Sequence, residues 1–126
     1  MKPRFVELAK RAARYSEHQF RVGAVVVHKN RLVSFGHNQP LKSHPRSRNR
    51  WGRIHAELHA ILGVPLEVLR GTSLYVVRLT RVGLLATSHP CLECMALIRE
   101  VGIKRIYFVN DKRIVEEENV QSINNQ

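Results

Sequence analysis

With 126 residues, 44% of them hydrophobic and few prolines, the chain has the length and composition of one globular domain with a single substantial core. No apolar run approaches the ~18 residues of a membrane helix, which excludes a helical span from the reading. The formal charge of +11 comes from 21 Lys and Arg against 10 Asp and Glu, and it points to an anionic partner, with a solvated basic surface as the plainer alternative.

Phe5, Val6, Leu8, Ala9, Ala12 and Ala13 recur at helical spacing with Lys10, Arg11 and Arg14 opposite them, which predicts a helix over Pro3 to Ser16. Val22 to Val27 and Leu32 to Phe35 are β-branched and apolar, joined by His28-Lys29-Asn30-Arg31, and read as an antiparallel hairpin. The first of these strands is apolar throughout, as a strand covered on both faces should be. Residues 37–53 have neither helical nor strand periodicity and read as a basic loop. A helix from Arg53 to Leu62 is expected next, stopped by Gly63 and Pro65, with one further turn over Leu66 to Leu69. Ser73 to Leu79 reads as the third strand and Arg81 to Ala86 as an excursion with room for a short strand. A helix from Cys91 to Val101 ends at Gly102. Lys104 to Val109 is the fourth strand. A turn at Asn110-Asp111-Lys112 then returns Arg113 to Glu117 antiparallel as the fifth, with Glu118 to Gln126 fraying. The order β-β-α-β-α-β-β behind a leading helix predicts an α/β three-layer α/β/α sandwich on a mixed sheet of about five strands.

The charge is unevenly placed. Residues 1–53 hold 13 Lys and Arg against Glu7 and Glu17, whereas residues 54–126 hold eight of each sign. In the basic loop, Arg46, Arg48 and Arg50 alternate with small polar residues and would face one way if extended. With Arg53 and Trp51, the sole tryptophan, they are candidates for phosphate contact and base stacking. The alternative is a solvated loop in which Trp51 covers the core.

The two cysteines of the chain, Cys91 and Cys94, stand at i and i+3 behind Pro90, which suits the first position of a helix. At a helix N-terminus the dipole and the backbone N–H groups favour the thiolate. Two thiolates make half of a tetrahedral zinc site, and His55 offers a third ligand. Three protein ligands leave a position for water, with Glu57 beside it as a proton carrier. A C-x-x-C pair also suits redox chemistry, but the preceding Pro90 and the accompanying His55-Ala56-Glu57 favour the metal. His55 and His59 are four apart, as in a zinc protease helix, but Ala56 stands where that motif needs Glu. His59 reads as a residue near the helix surface or behind the ligands.

H-x-E at His55-Ala56-Glu57 followed by P-C-x-x-C at Pro90 to Cys94 resembles the zinc-dependent cytidine and deoxycytidylate deaminase superfamily, which also includes tRNA adenosine deaminases and polynucleotide cytidine deaminases. The likeness runs from about Phe20 to Val109, the expected catalytic core of a single domain over 1–126. Gly36-His37-Asn38 resembles the G-x-N ending a family strand. Leu74 to Val77 resembles the strand before the cysteines, and Gly102 to Phe108 the strand that follows their helix.

The resemblance implies one catalytic zinc ion on His55, Cys91 and Cys94, with Glu57 moving protons during hydrolytic loss of an exocyclic amine. It implies that the Ala56 N–H holds the base carbonyl, that a backbone carbonyl of Ser88 or His89 accepts from the amine, and that Asn38 contacts base or sugar. A turn-forming Asn38 is the plainer reading. Cytosine is the expected base, carried by a deoxycytidylate-type nucleotide or by single-stranded nucleic acid, between which the sequence is nearly balanced. Adenosine in tRNA or another single strand is the runner-up. A basic nucleic-acid-binding module stapled by a structural zinc is the alternative of another class. The antiparallel return of the last strand resembles the nucleoside-type cytidine deaminases, and the short C-terminus departs from the polynucleotide enzymes. A cytoplasmic protein without a membrane partner is expected, because reduced thiols serve as ligands and no secretory leader is evident. Assembly as a homo-oligomer and a second zinc using His37 or His44 stay open.

Overall fold

Phe5, Val6, Ala9, Ala12 and Ala13 bury one face of helix α1 (Pro3–Arg14) in the computed structural model, which describes residues 2–16, 21–38 and 55–120. Pro3 sits in the first turn, where its fixed φ fits and its missing N–H is not needed. Arg11 and Arg14 occupy the last turn, where they complement its carbonyl end.

Strands β1 (Arg21–His28) and β2 (Arg31–His37) form the expected hairpin. Lys29 and Asn30 both take positive φ, 49° and 65°, the backbone a two-residue turn between right-twisted strands requires. Helices α2 (Ala56–Ile61) and α3 (Leu66–Leu69) lead to β3 (Ser73–Leu79), and the two-residue β4 (Leu85–Ala86) folds back on it. Helix α4 (Leu92–Glu100) crosses over to β5 (Arg105–Val109), and β6 (Val115–Asn119) returns.

The strand order is β2-β1-β3-β5-β6, with β4 on the end of β3. The β3–β5 pair is parallel, since a helix carries the chain between them, and every other pair is antiparallel. Successive side chains alternate between faces. Val25, Val27, Tyr75, Val77, Tyr107 and Val109 pack with α1. Ala24, Val26, Leu74, Val76, Ile106 and Phe108 pack with α2, α4 and Leu69 of α3. The result is the expected α/β/α sandwich on a mixed sheet of five main strands, with β1 buried on both sides.

Two glycines let helices lie directly on the sheet. A Cβ at Gly23 would stand 2.1 Å from the Ala9 carbonyl oxygen of α1. A Cβ at Gly36 would stand 2.4 Å from Ala60 N and 2.7 Å from Ala56 O of α2.

Several boundaries differ from expectation: α1 ends at Arg14, short of Ser16, and β2 runs on to His37, where the irregular loop was expected to begin. Among the described residues, the helix expected from Arg53 begins at Ala56, with His55 extended as its cap (φ −71°, ψ 153°). The helix expected from Cys91 begins at Leu92. Cys91 is extended (φ −68°, ψ 169°), and Pro90 precedes the cap instead of opening the helix. The last strand is shifted, since Asn110 Oδ1 accepts from the N–H groups of both Lys112 and Ile114 and so prolongs the turn. Glu118 and Asn119 therefore belong to β6, and Val120 is fully buried with its N–H donating to Lys104 O at 2.9 Å, so this end does not fray. No helix among the described residues is long and apolar enough to cross a membrane.

Candidate active site

Two helix starts meet on the α2–α4 side of the sheet. The His55 carbonyl accepts the first helical bond of α2 from His59 N at 2.9 Å, and the Cys91 carbonyl does the same for α4 from Met95 N at 2.8 Å. Each of these capping residues is also a candidate ligand. His55 Nδ1 lies 3.2 Å from Cys94 Sγ and 3.6 Å from Cys91 Sγ, and the three donor atoms are all within 4.8 Å of one another. Tetrahedral zinc with ordinary Zn–N and Zn–S bonds places neighbouring donors about 3.5–3.8 Å apart, so the set fits the ion. Among the described residues no other His, Cys, Asp or Glu joins this cluster. Cys94 is buried, His55 half-buried and Cys91 exposed, so the fourth position can face solvent on the Cys91 side.

Glu57, in the first turn of α2, is only 5% exposed. Burial pushes its carboxyl above the usual range. Its own backbone N–H, His55, the Cys94 side chain and His89 pull the other way. Cys94 is pushed far above the ordinary thiol range by burial first, then by Glu57 and Cys91. The expected preference of the helix N-terminus for thiolate is therefore outweighed at Cys94. A buried thiol and a buried carboxyl beside a second thiol need a cation to ionise together, which is a second reason the donor set suits zinc.

The remaining candidates take varied places. Ala56 is fully buried as the first residue of α2, where a backbone N–H has no intrahelical acceptor. Ser88 is buried just beyond the point where the β3–β5 ladder stops, at Tyr75 and Tyr107. Its hydroxyl donates to Val76 O at 2.7 Å and accepts from Val109 N at 2.8 Å, while its own N–H donates to Val109 O at 3.0 Å. Ser88 thus clips the parting strands together and fixes where His89, Pro90 and Cys91 begin. His89 sets its ring edge-on to Phe108, with centroids 4.6 Å apart. Its Nδ1 is 2.9 Å from Pro90 O and its Nε2 is 3.4 Å from a Glu118 carboxylate oxygen. Asn38 Oδ1 accepts from Val22 N at 3.0 Å, and the Asn38 carbonyl accepts from the Ser16 hydroxyl at 3.1 Å, so this side chain closes the end of the hairpin.

His59 Nδ1 is 3.0 Å from His37 N, tying α2 to β2, and the two rings meet edge to face at 5.0 Å. Arg46, Arg48, Arg50, Trp51 and Arg53, with His44, lie outside the described residues. Sequence reasoning missed the hydroxyl of Ser88 and the carboxylate of Glu118, since neither belongs to a local pattern.

The comparison with known families decides the lineage. The profile of the cytidine and deoxycytidylate deaminase zinc-binding region matches residues 1–110. The chain belongs to this family. His55, Cys91 and Cys94 are its zinc-binding set. Deoxycytidylate deaminase of Pongo abelii is 30% identical over 115 residues, covering 80% of this chain and 59% of that protein, so the chain spans under two thirds of that relative. The tRNA-specific adenosine deaminase subunit tad2 of Schizosaccharomyces pombe is 32% identical over 110 residues, covering 82% of this chain and 24% of that protein. Among solved structures, cytidine deaminase from Burkholderia pseudomallei superposes with a TM-score of 0.71 at 20% identity, covering 98% of this chain and 95% of that one, which confirms the cytidine deaminase-like fold.

Proposed function

We propose that this family member is a zinc-dependent hydrolytic deaminase that converts the cytosine of an anionic substrate to uracil and releases ammonia. The observation that carries the reading is the buried Glu57 carboxyl, two residues from His55, beside a three-donor cluster that opens at Cys91. A purely structural zinc would be closed by a fourth protein ligand and would have no use for a buried acid beside it.

His55, Cys91 and Cys94 would hold the zinc, which when bound would supply a nucleophile from water near neutral pH. Glu57 would take one proton of that water on its carboxylate and deliver it to the ring nitrogen as the new C–O bond forms, then take the second proton from the added hydroxyl and pass it to the amine, which leaves as ammonia as the C–N bond breaks and the carbonyl closes. The Ala56 N–H at the start of α2 would hold the base carbonyl, as the family resemblance implies, and a backbone carbonyl at Ser88 or His89 would accept from the amine.

Cytosine is supported by the 30% identity to a deoxycytidylate deaminase and by the antiparallel return of β6 on β5. The substrate is a deoxycytidylate-type nucleotide or a cytosine in single-stranded nucleic acid, for which the basic first half supplies counter-charge. Adenine is the second reading, favoured by the match to an adenosine deaminase subunit. The test is product mass after incubation with cytidine and adenosine nucleotides in one tube and mixed-sequence single-stranded DNA and RNA in another. Conversion of cytosine is expected. Conversion of adenine alone selects the second reading, and a zinc-loaded protein that converts neither base rules out both.

A further inference from the structure

The described part of the basic half gathers on α1 and the β1–β2 hairpin: residues 2–16 and 21–38 hold eight Lys and Arg against one acid, Glu7. An open groove runs between α1 and edge strand β2, lined by Leu8, Val25, Leu32, Tyr15 and Phe35, with Arg11 beside them. Its two aromatic rings face water. Tyr15 is 67% exposed and Phe35 52% exposed, with centroids 6.4 Å apart. Exposed Arg11 and Arg14 lie one turn and one residue before Tyr15. From Tyr15 the rings continue to His37 at 6.2 Å, and from His37 to His59 at 5.0 Å. His59 is on α2, one turn after the ligand His55. The series therefore passes from the groove around the sheet edge to the helix that carries the site.

We infer that the α1–β2 groove is a stacking track for single-stranded nucleic acid, with bases on Tyr15 and Phe35, phosphates on Arg11 and Arg14, and the strand led past His37 toward the zinc site. Apolar ring faces bordered by guanidinium groups match the two surfaces a single strand presents, bases and phosphates. A second copy fits worse, because a two-fold contact would set this cationic surface against itself. The strand's destination rests on the deaminase reading. Its binding does not.

The test is fluorescence anisotropy of a labelled pyrimidine oligonucleotide, single-stranded and as a duplex, with the full-length protein over a range of salt. Single-strand binding is expected, and it should weaken as salt rises. Tyr15→Ser should weaken it about tenfold, and Phe35→Ser added to it should weaken it further. Arg11→Gln with Arg14→Gln should lower the slope of log affinity against log salt by about 1.4. Lys104→Gln with Lys112→Gln removes the same charge at exposed sites outside the groove and should leave binding as it was. No single-strand binding at low salt, or equal binding by wild type and all groove variants, would overturn the track. So would a concentration-dependent dimer that the same variants dissolve, which would give the groove to a second copy. Strand binding without turnover of any base would fail the deaminase reading and leave the track standing.

Discussion

Glu57 is an expensive residue for the fold to bury, since a carboxyl taken out of water loses hydration that its own backbone N–H only partly replaces. Glu57→Gln keeps the shape and removes the proposed proton carrier. It should hold a full complement of zinc by elemental analysis, melt no lower than wild type, and lose about 10²- to 10⁴-fold in turnover. Ser88 makes the opposite trade. Ser88→Ala leaves the Val109 N–H and the Val76 carbonyl without their buried partner, and the urea midpoint should fall by an amount equivalent to about 1–3 kcal/mol. These two residues differ in how they could be read from sequence. His55 with Glu57, and Cys91 with Cys94, are local pairs whose chemistry shows in their spacing. The partners of Ser88 lie 12 and 21 residues away and that of Glu118 lies 29 away, so nothing beside them in the chain announces the contact.

At the scale of elements, the site exists because α2 and α4 both start where the sheet lets them approach. Gly36 sets that approach for α2. Gly36→Ala would drive a methyl group into the Ala56–Ala60 backbone, and α2 would have to lift away with His55 on its cap. Overpacking of this kind costs about 1–3 kcal/mol or more. The expected result is lower stability together with zinc content below one per folded chain. Gly23→Ala makes the equivalent collision with α1, which carries no ligand, so it should lower stability with the zinc content of the folded fraction unchanged. Elements with strong periods were legible in the sequence: the alanine-rich face of α1, the unbroken apolar run of β1 and the C-terminal glycine after α4. Their ends were not. His55 and Cys91 look like the first residues of their helices, yet both are extended caps that aim ligands at a common point. The last strand slid by two residues because the Asn110 side chain, not the backbone alone, sets the length of its turn.

Over the whole molecule, the sheet separates two cores of unequal dependence on the metal. The core beneath α1 draws on Phe5, Val6, Ala9 and Ala13 with the odd face of the strands, and it contains no residue of α2 or α4. The core on the other face includes Ala56, Ala60 and Ile61 of α2 with Met95 and Ile98 of α4, and the zinc set joins the starts of those same two helices. An ion that binds only the folded state stabilises it by mass action, about 2.7 kcal/mol when free zinc is a hundredfold above its dissociation constant. Chelation should therefore lower the melting temperature, and readdition of zinc should restore it. The loss should not be uniform. Without the ion, Cys91, Cys94 and Glu57 need not share a charged pocket, but the two helix starts lose the tie between them. Amide exchange read by mass spectrometry should quicken in peptides spanning residues 55–62 and 88–95, while peptides from α1, β1 and β3 keep their protection. Uniform loss of protection would mean that the two cores fold as one unit and that the metal supports the sheet itself. Unchanged exchange at both helix starts would mean that packing alone holds the ligands in place, and the zinc would then be free to leave and return without any cost to the fold.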